Sequence, residues 1–239
     1  MKILPILLGF FVGQTIDAQV STRLEMSGGG YRAELRNYMP LVDDLKAAMT
    51  AEDSNKTLSV LDDIRFAVDL AKLQVKGAKQ SLSTQEKLFT VAPEAREYVM
   101  GGIAVEAERA CEYQKAKLYA EEALELGTKG KGGIKLGANI YYGQQVLGLL
   151  AMRQGDIKAA KQRLMASAAA PKWPNLARSG PYVLLARRLL DRGEREIVVE
   201  FFEQCKRLWP EGEDTLEEWR KEIMAGNVPD FGSRLRLVP

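Results

Sequence analysis

One pattern of paired helices occurs three times in tandem between about residues 97 and 210 of this sequence. Its clearest copy, residues 141–172, combines an amphipathic helical pattern, a Gly155-Asp156 turn and a second helical pattern with small residues at fixed places. The other copies have their turns at Cys111-Glu112 and Gly193-Glu194. A helical hairpin of this length cannot bury its apolar face alone, so it must stack on neighbouring copies. The repetition therefore predicts an all-α chain.

Aligning the three turns places residues of similar size at the same positions. Each first helix carries a small residue, which would let two helix backbones approach closely: Ala104, Gly148 and Ala186. Apolar residues flank this position in every copy: Ile103 and Ala107, Leu147 and Ala151, and Leu185 and Leu189. The second helices agree as well: Ala116, Ala120 and Ala123; Ala160, Leu164 and Ser167; Val198, Phe202 and Cys205.

These positions resemble the tetratricopeptide repeat (TPR) family over roughly residues 97–210. Further matches are Tyr113 and Leu126 in the first copy and Tyr182 and Pro210 in the third. The copies start near positions 97, 141 and 179, so their offsets are 44 and 38 residues, against about 34 in the family. The inter-repeat loops are therefore expected to be long, with insertions at 127–137 and 172–180. A generic helical bundle is the alternative.

The resemblance implies a right-handed α-solenoid in which the first helix of each pair lines a concave groove. Carried over by position, the groove residues would be Tyr98, Val105, Glu108 and Arg109; Tyr142, Gln145, Leu149, Met152 and Arg153; and Val183, Arg187, Leu190 and Asp191. Its arginines would suit a carboxylate-bearing peptide, because guanidinium groups pair bidentately with carboxylates. The alternatives are an ordinary solvated face for the arginines and packing against the preceding hairpin for the tyrosines.

The N-terminus has the pattern of a secretory signal. A lysine at position 2 precedes a short apolar run, and Ala18 suits the last position before cleavage. The run is shorter than the roughly 20 apolar residues that span a bilayer. We therefore predict an exported (periplasmic or secreted) protein with no stable membrane span after cleavage. An uncleaved anchor and a buried first helix are the alternatives.

The remaining sequence divides by its patterns into further segments. Residues 1–18 are the predicted signal peptide, 19–30 a flexible lead-in, and 31–93 an N-terminal helical hairpin with a connector. The second helix of that hairpin is predicted to end near Gly77. Residues 94–225 hold the three TPR-like repeats and a capping helix, and 226–239 form an irregular tail. Leu216, Trp219 and Ile223 are the apolar face of the capping helix.

Composition limits the chemistry that the chain can perform. There is no histidine, which excludes histidine-dependent nucleophilic catalysis and removes the commonest metal ligand. The two cysteines, Cys111 and Cys205, fall in different positions of different repeats, so we predict that they are unpaired, with Cys205 buried. A formal net charge of +2 gives no basis for nucleic-acid binding. We predict no cofactor, no metal and no catalytic residue.

These features favour a non-catalytic repeat scaffold that binds a protein or peptide in an exported compartment. One alternative is a self-associating structural or envelope component, and a less favoured one is a non-catalytic subunit of an enzyme complex. An enzyme with a pair of carboxylates is the remaining class, but no such pair is distinct from solvated helix faces. The partner and the oligomeric state stay open.

Overall fold

The computed structural model describes residues 23–27, 30–34, 39–51, 53–129, 134–173, 176 and 180–235. These residues are predominantly α-helical, as the sequence predicts. The predicted signal segment lies outside them. The chain divides into two compact units, Met1–Val75 and Lys76–Pro239. Within the described ranges, no helix is both long enough and apolar enough to cross a membrane.

A two-stranded antiparallel hairpin, β1 (Arg23–Ser27) and β2 (Gly30–Glu34), comes first in the N-terminal unit. The sequence instead predicts a flexible lead-in here, followed by a helix from residue 31. The register places Arg23 opposite Glu34, Leu24 opposite Ala33, Glu25 opposite Arg32 and Met26 opposite Tyr31.

Two helices follow, α1 (Met39–Thr50) and α2 (Ser54–Val91). Pro40 lies in the first turn of α1, where its missing N–H costs no hydrogen bond, so it introduces no kink. Asp53 caps α2 by accepting a hydrogen bond from the Lys56 N–H at 2.9 Å. The helix is 38 residues long and continues past Gly77, where the sequence predicted its end. Ala78 and Leu82 are buried beyond that glycine, and their burial favours the longer helix.

The C-terminal unit contains the three predicted helical pairs. A 3₁₀ turn (Pro93–Ala95) precedes α3 (Arg96–Arg109) and α4 (Tyr113–Lys129), then α5 (Ile134–Arg153) and α6 (Ile157–Ala168), then α7 (Leu184–Leu190) and α8 (Arg195–Leu208). After a second 3₁₀ turn (Pro210–Gly212) come α9 (Glu213–Met224) and a last 3₁₀ turn (Gly232–Leu235). Thus α5 begins before the predicted start of its repeat, and α7 begins after it.

The three predicted turns have the same backbone geometry. Cys111, Gly155 and Gly193 have φ of 60°, 78° and 81°. In each turn the N–H of the following residue donates to a carbonyl five positions earlier: Glu112 to Ala107 at 2.9 Å, Asp156 to Ala151 at 3.0 Å and Glu194 to Leu189 at 3.0 Å. This left-handed ending satisfies carbonyls at the end of each first helix. The alignment of the three turns is therefore confirmed.

Each helix of the C-terminal unit packs against helices that are close to it in sequence. α3 contacts α4 and α5, α4 contacts α5, α5 contacts α6 and α7, and α6 contacts α7 and α8, while α8 contacts α7 and α9. Small residues allow the closest contacts: a Cβ at Gly143 would lie 2.9 Å from the Ala120 carbonyl oxygen, and one at Gly148 would lie 2.3 Å from Leu185 Cδ2. Leu216, Trp219 and Ile223 of α9 are buried, as predicted for the capping helix.

Candidate partner-binding site on the first helices

The predicted groove residues lie on or beside the first helices α3, α5 and α7, but their exposure differs widely. Several are buried and cannot contact a partner in this conformation: Val105, Glu108, Gln145, Leu149, Val183 and Leu190. The side chain of Gln145 is satisfied on one side, because its Nε2 donates to Ser167 Oγ at 2.9 Å. These residues belong to the interior of the C-terminal unit.

The connection between α6 and α7 covers part of α5. Trp173 and Tyr182, at the two ends of this connection, are both buried. The Tyr142 ring lies 5.9 Å from the Trp173 ring and 6.4 Å from the Tyr182 ring, and Tyr141 Oη donates to the Tyr182 carbonyl at 2.8 Å. Burial raises the pKa of Tyr142 to about 12. Tyr142 therefore packs against the segment that follows its hairpin. It also lies against α3 of the preceding hairpin, as the alternative proposed, because a Cβ at Gly101 would be 3.2 Å from the Tyr142 Cβ.

An ion pair with an acid of its own chain holds each predicted groove arginine. Arg109 Nη1 donates to Glu106 Oε1 at 2.6 Å, within α3. Arg187 Nε donates to Asp191 Oδ1 at 2.9 Å, at the end of α7. Both pairs are neutral as units, so these arginines are already compensated before any partner arrives.

The third pair connects two hairpins. Arg153 Nη2, at the end of α5, donates to Oε1 of the buried Glu108 in α3 at 3.0 Å. The Arg153 guanidinium also lies over the Tyr113 ring, 4.2 Å from its centroid. Although burial lowers the pKa of Arg153, the charge and hydrogen bond of Glu108, together with Tyr113, outweigh it and raise that pKa above its usual value. This arrangement positions the ends of α3 and α5 against each other.

What remains open to solvent is a smaller surface than the sequence predicted. Tyr98 is 47% exposed at the start of α3, about 16 Å along the helix from Arg109 at 1.5 Å per residue. Arg153 is also exposed, whereas Arg109, Met152, Arg187 and Asp191 are partly exposed. We call this set the first-helix surface: Tyr98, Arg109, Met152, Arg153, Arg187 and Asp191.

Sequence reasoning missed Glu106, Trp173 and Tyr182 as parts of this region. Glu106 lies three residues before Arg109, a spacing that places both on one helix face. Their ion pair could therefore have been predicted from the sequence. No local pattern marks Trp173. Tyr182 matches the repeat pattern, but that match does not reveal its neighbours, because the fold of a long connection determines where both residues pack.

The described residues offer little other chemistry. Among them, no three histidine, cysteine, aspartate or glutamate side chains are arranged to hold a metal ion. Cys111 and Cys205 are both free thiols, and Cys205 is fully buried, which confirms its predicted place in the core. Burial raises the pKa of the Cys205 thiol far above its usual value. Comparison of the chain with protein-family models, with curated proteins and with solved structures gives no match.

Proposed function

We propose that this protein is a non-catalytic scaffold of TPR-like repeats that binds a protein or peptide through its first helices. The observation that carries the proposal is the repetition of one hairpin with the same turn and the same hydrogen bond. Helical pairs that pack on their sequence neighbours form arrays with extended binding surfaces. A right-handed solenoid with α9 as its end cap is the arrangement that we infer from these pairs.

The chemistry of the first-helix surface favours a partner that carries both hydrogen-bonding and apolar groups. Arg109 and Arg187 already face carboxylates of their own chain, so an acidic peptide would have to displace Glu106 and Asp191. A partner that adds hydrogen bonds to these pairs and covers Met152 and Tyr98 with apolar groups avoids that competition. Aromatic, methionine and arginine side chains are enriched at protein interfaces.

The proposed compartment is outside the cytoplasm, on the basis of the signal-like pattern of residues 1–18. The test is expression of the full chain in an exporting host, followed by intact-mass measurement of the protein from the exported fraction. We expect a mature chain that begins at Gln19. A chain that stays in the cytoplasm with residues 1–18 attached would contradict the proposed compartment and leave the binding proposal intact.

The binding proposal is tested by neutralising ion pairs of the first-helix surface without leaving an unpaired charge. The test variant carries four substitutions: Glu106→Gln, Arg109→Gln, Arg187→Gln and Asp191→Asn. The matched control removes the same number of charges of each sign from the exposed face of the second helix α4: Lys117→Gln, Glu121→Gln, Glu125→Gln and Lys129→Gln. Circular dichroism first confirms that both variants are as helical as the wild type.

Affinity capture from the exported fraction then compares the three proteins. We expect a captured partner that is lost from the test variant and kept by the control. A partner that both variants keep would exclude the first-helix surface as the binding site. If each protein captures only its own chain, and light scattering shows a mass that rises with concentration, self-association replaces partner binding as the function.

A further inference from the structure

Helix α7 is too short to be stable by itself. It has seven residues, Leu184–Leu190, and its N-terminal flanking residue, Val183, provides no side-chain cap. Isolated helices of fewer than about 12 residues are marginal in water. The order of α7 must therefore come from the segments that contact its ends and its buried face.

The C-terminal segment 229–235, which we call the strap, makes one of these contacts. The Val183 N–H, at the start of α7, donates to the Arg234 carbonyl at 3.0 Å. The Arg234 guanidinium lies over the Trp209 ring, 4.5 Å from its centroid. Gly180 lies directly beneath this stack, because a Cβ there would be 2.8 Å from Arg234 Nε. The end of the strap thus lies against the start of α7.

Phe231 of the strap packs against the aromatic residues of α8 and α9, and the Arg234 guanidinium also lies 5.7 Å from the centroid of the Trp219 ring in α9. Phe231 is 1% exposed, and its ring lies 5.0 Å from the Trp219 ring and 5.8 Å from the Phe202 ring. These ring contacts are made by the Phe231 side chain, whereas the hydrogen bond to Val183 is made by the Arg234 carbonyl. A truncation between the two residues therefore removes the contact with Val183 and leaves Phe231 in the chain.

Few contacts connect the strap to the start of α7. Among the described residues Arg234 has no ion pair, and its buried Nε has no hydrogen-bond acceptor. An unsatisfied buried donor offsets part of what stacking contributes. Residues 225–228, which join the strap to α9, are exposed, and they include Gly226 with φ of 93°. One backbone hydrogen bond therefore connects the strap to Val183 at the start of α7, while the Arg234 side chain stacks on Trp209 at the end of α8.

We propose that the strap is a latch on α7: when seated it orders this helix, and when released it lets α7 open locally while α3–α6 stay folded. Proteins open in cooperative segments whose stability follows their local contacts. Because Arg187 and Asp191 lie on or next to α7, the latch links the C-terminal segment to one end of the first-helix surface.

Two truncations of the full chain separate the latch from the rest of the strap. Removing residues 232–239 deletes Arg234 and keeps Phe231 in its cluster, whereas removing 236–239 keeps both. Amide hydrogen exchange is measured by mass spectrometry in both truncations and in the full chain. We expect exchange of residues 184–191 to rise at least about tenfold in the first truncation alone, with α3–α6 unchanged. Equal exchange in all three proteins, or a rise spread over α3–α6, would overturn the proposal.

A substitution pair tests the same contact without shortening the chain. Gly180→Ala places a methyl group against Arg234 and the Trp209 ring on which it stacks, at a backbone φ of 74°, and Gly155→Ala carries the same backbone strain at 78° with open space around it. We expect faster exchange of residues 184–191 in Gly180→Ala only. The same rise in both variants would attribute the effect to backbone strain and overturn the latch, as would no rise in either.

Discussion

Cys111 occupies a left-handed turn position that glycine fills in the other two hairpins. Its φ is 60°, compared with 78° for Gly155 and 81° for Gly193. A side chain at this conformation crowds the following carbonyl, which costs roughly 1–2 kcal/mol outside glycine. The turn of the first hairpin therefore carries a backbone strain energy that the glycines of the other two turns avoid.

Replacing Cys111 by glycine is expected to raise the free energy of unfolding by about 0.5–1 kcal/mol. The relief of backbone strain exceeds the extra entropy that a glycine loses on folding. Urea unfolding followed by tryptophan fluorescence measures this in the C-terminal unit, because Trp173, Trp209 and Trp219 all lie there. Gly155→Ala is the control, with the opposite expected sign. A lower stability of Cys111→Gly would show that the thiol makes stabilising contacts.

Residue spacing predicts some parts of the candidate site and not others. Arg187 and Asp191 are four residues apart in a helical pattern, so their ion pair follows from the sequence. The burial of Glu108 does not, because it depends on Arg153 of the next hairpin. Position in a repeat identifies which helix carries a residue, but the covering segment decides whether that residue is exposed. For Tyr142 that segment is the long connection with Trp173.

At the scale of whole elements, periodicity predicts which segments are helical better than where they end. Gly77 and Gly155 look alike as helix terminators in the sequence. Gly155 ends α5 with a positive φ, whereas Gly77 keeps helical geometry inside α2. A glycine terminates a helix only where the next residues turn away, and tertiary packing decides that. The hairpin of β1 and β2 was missed for another reason: its alternation covers only five residues per strand.

Helix α2 is tied to α4 through Glu86. Glu86 Oε1 accepts hydrogen bonds from Lys115 Nζ at 2.9 Å and from Tyr119 Oη at 2.7 Å. Partial burial by itself raises the pKa of Glu86, but these two hydrogen bonds outweigh it and hold the pKa below its usual 4.5. A depressed folded-state pKa stabilises the fold above the unfolded-state value, and this contribution is lost as the pH falls through the folded-state value.

Glu86→Gln is therefore expected to lower the free energy of unfolding by about 0.5–1 kcal/mol at pH 7, as for a partly exposed ion pair. The difference from wild type should shrink as the pH falls below about 4.5. Urea unfolding across this pH range measures it. Glu121→Gln is the control, because its Lys117 partner is 3.8 Å away and both side chains are mostly exposed. A pH-independent difference would mean that packing, and not charge, stabilises this contact.

At the scale of the whole molecule, the core of the C-terminal unit belongs to that unit's own helices. Its large buried side chains run from Met100 in α3 to Phe231 in the strap. The unit begins at Lys76, inside α2, so the last part of that helix belongs to it. The repeated hairpins predict that these helices form one unit. No sequence feature predicts that the unit begins inside helix α2. Repeat arrays stack on terminal elements that cover their exposed ends.

A fragment of residues 76–239 is accordingly expected to fold by itself. Its urea midpoint, followed by tryptophan fluorescence, should match that of the same transition in the full chain. A second fragment, 96–239, lacks the rest of α2 and should be less stable by about 2–3 kcal/mol, because it loses a buried leucine and two ion pairs. The lost contacts include those of Leu82, which is 3% exposed, and the ion pairs of Glu86 with Lys115 and of Lys79 with Glu112. If the 76–239 fragment is unfolded, or if both fragments are equally stable, then the last part of α2 does not stabilise this unit.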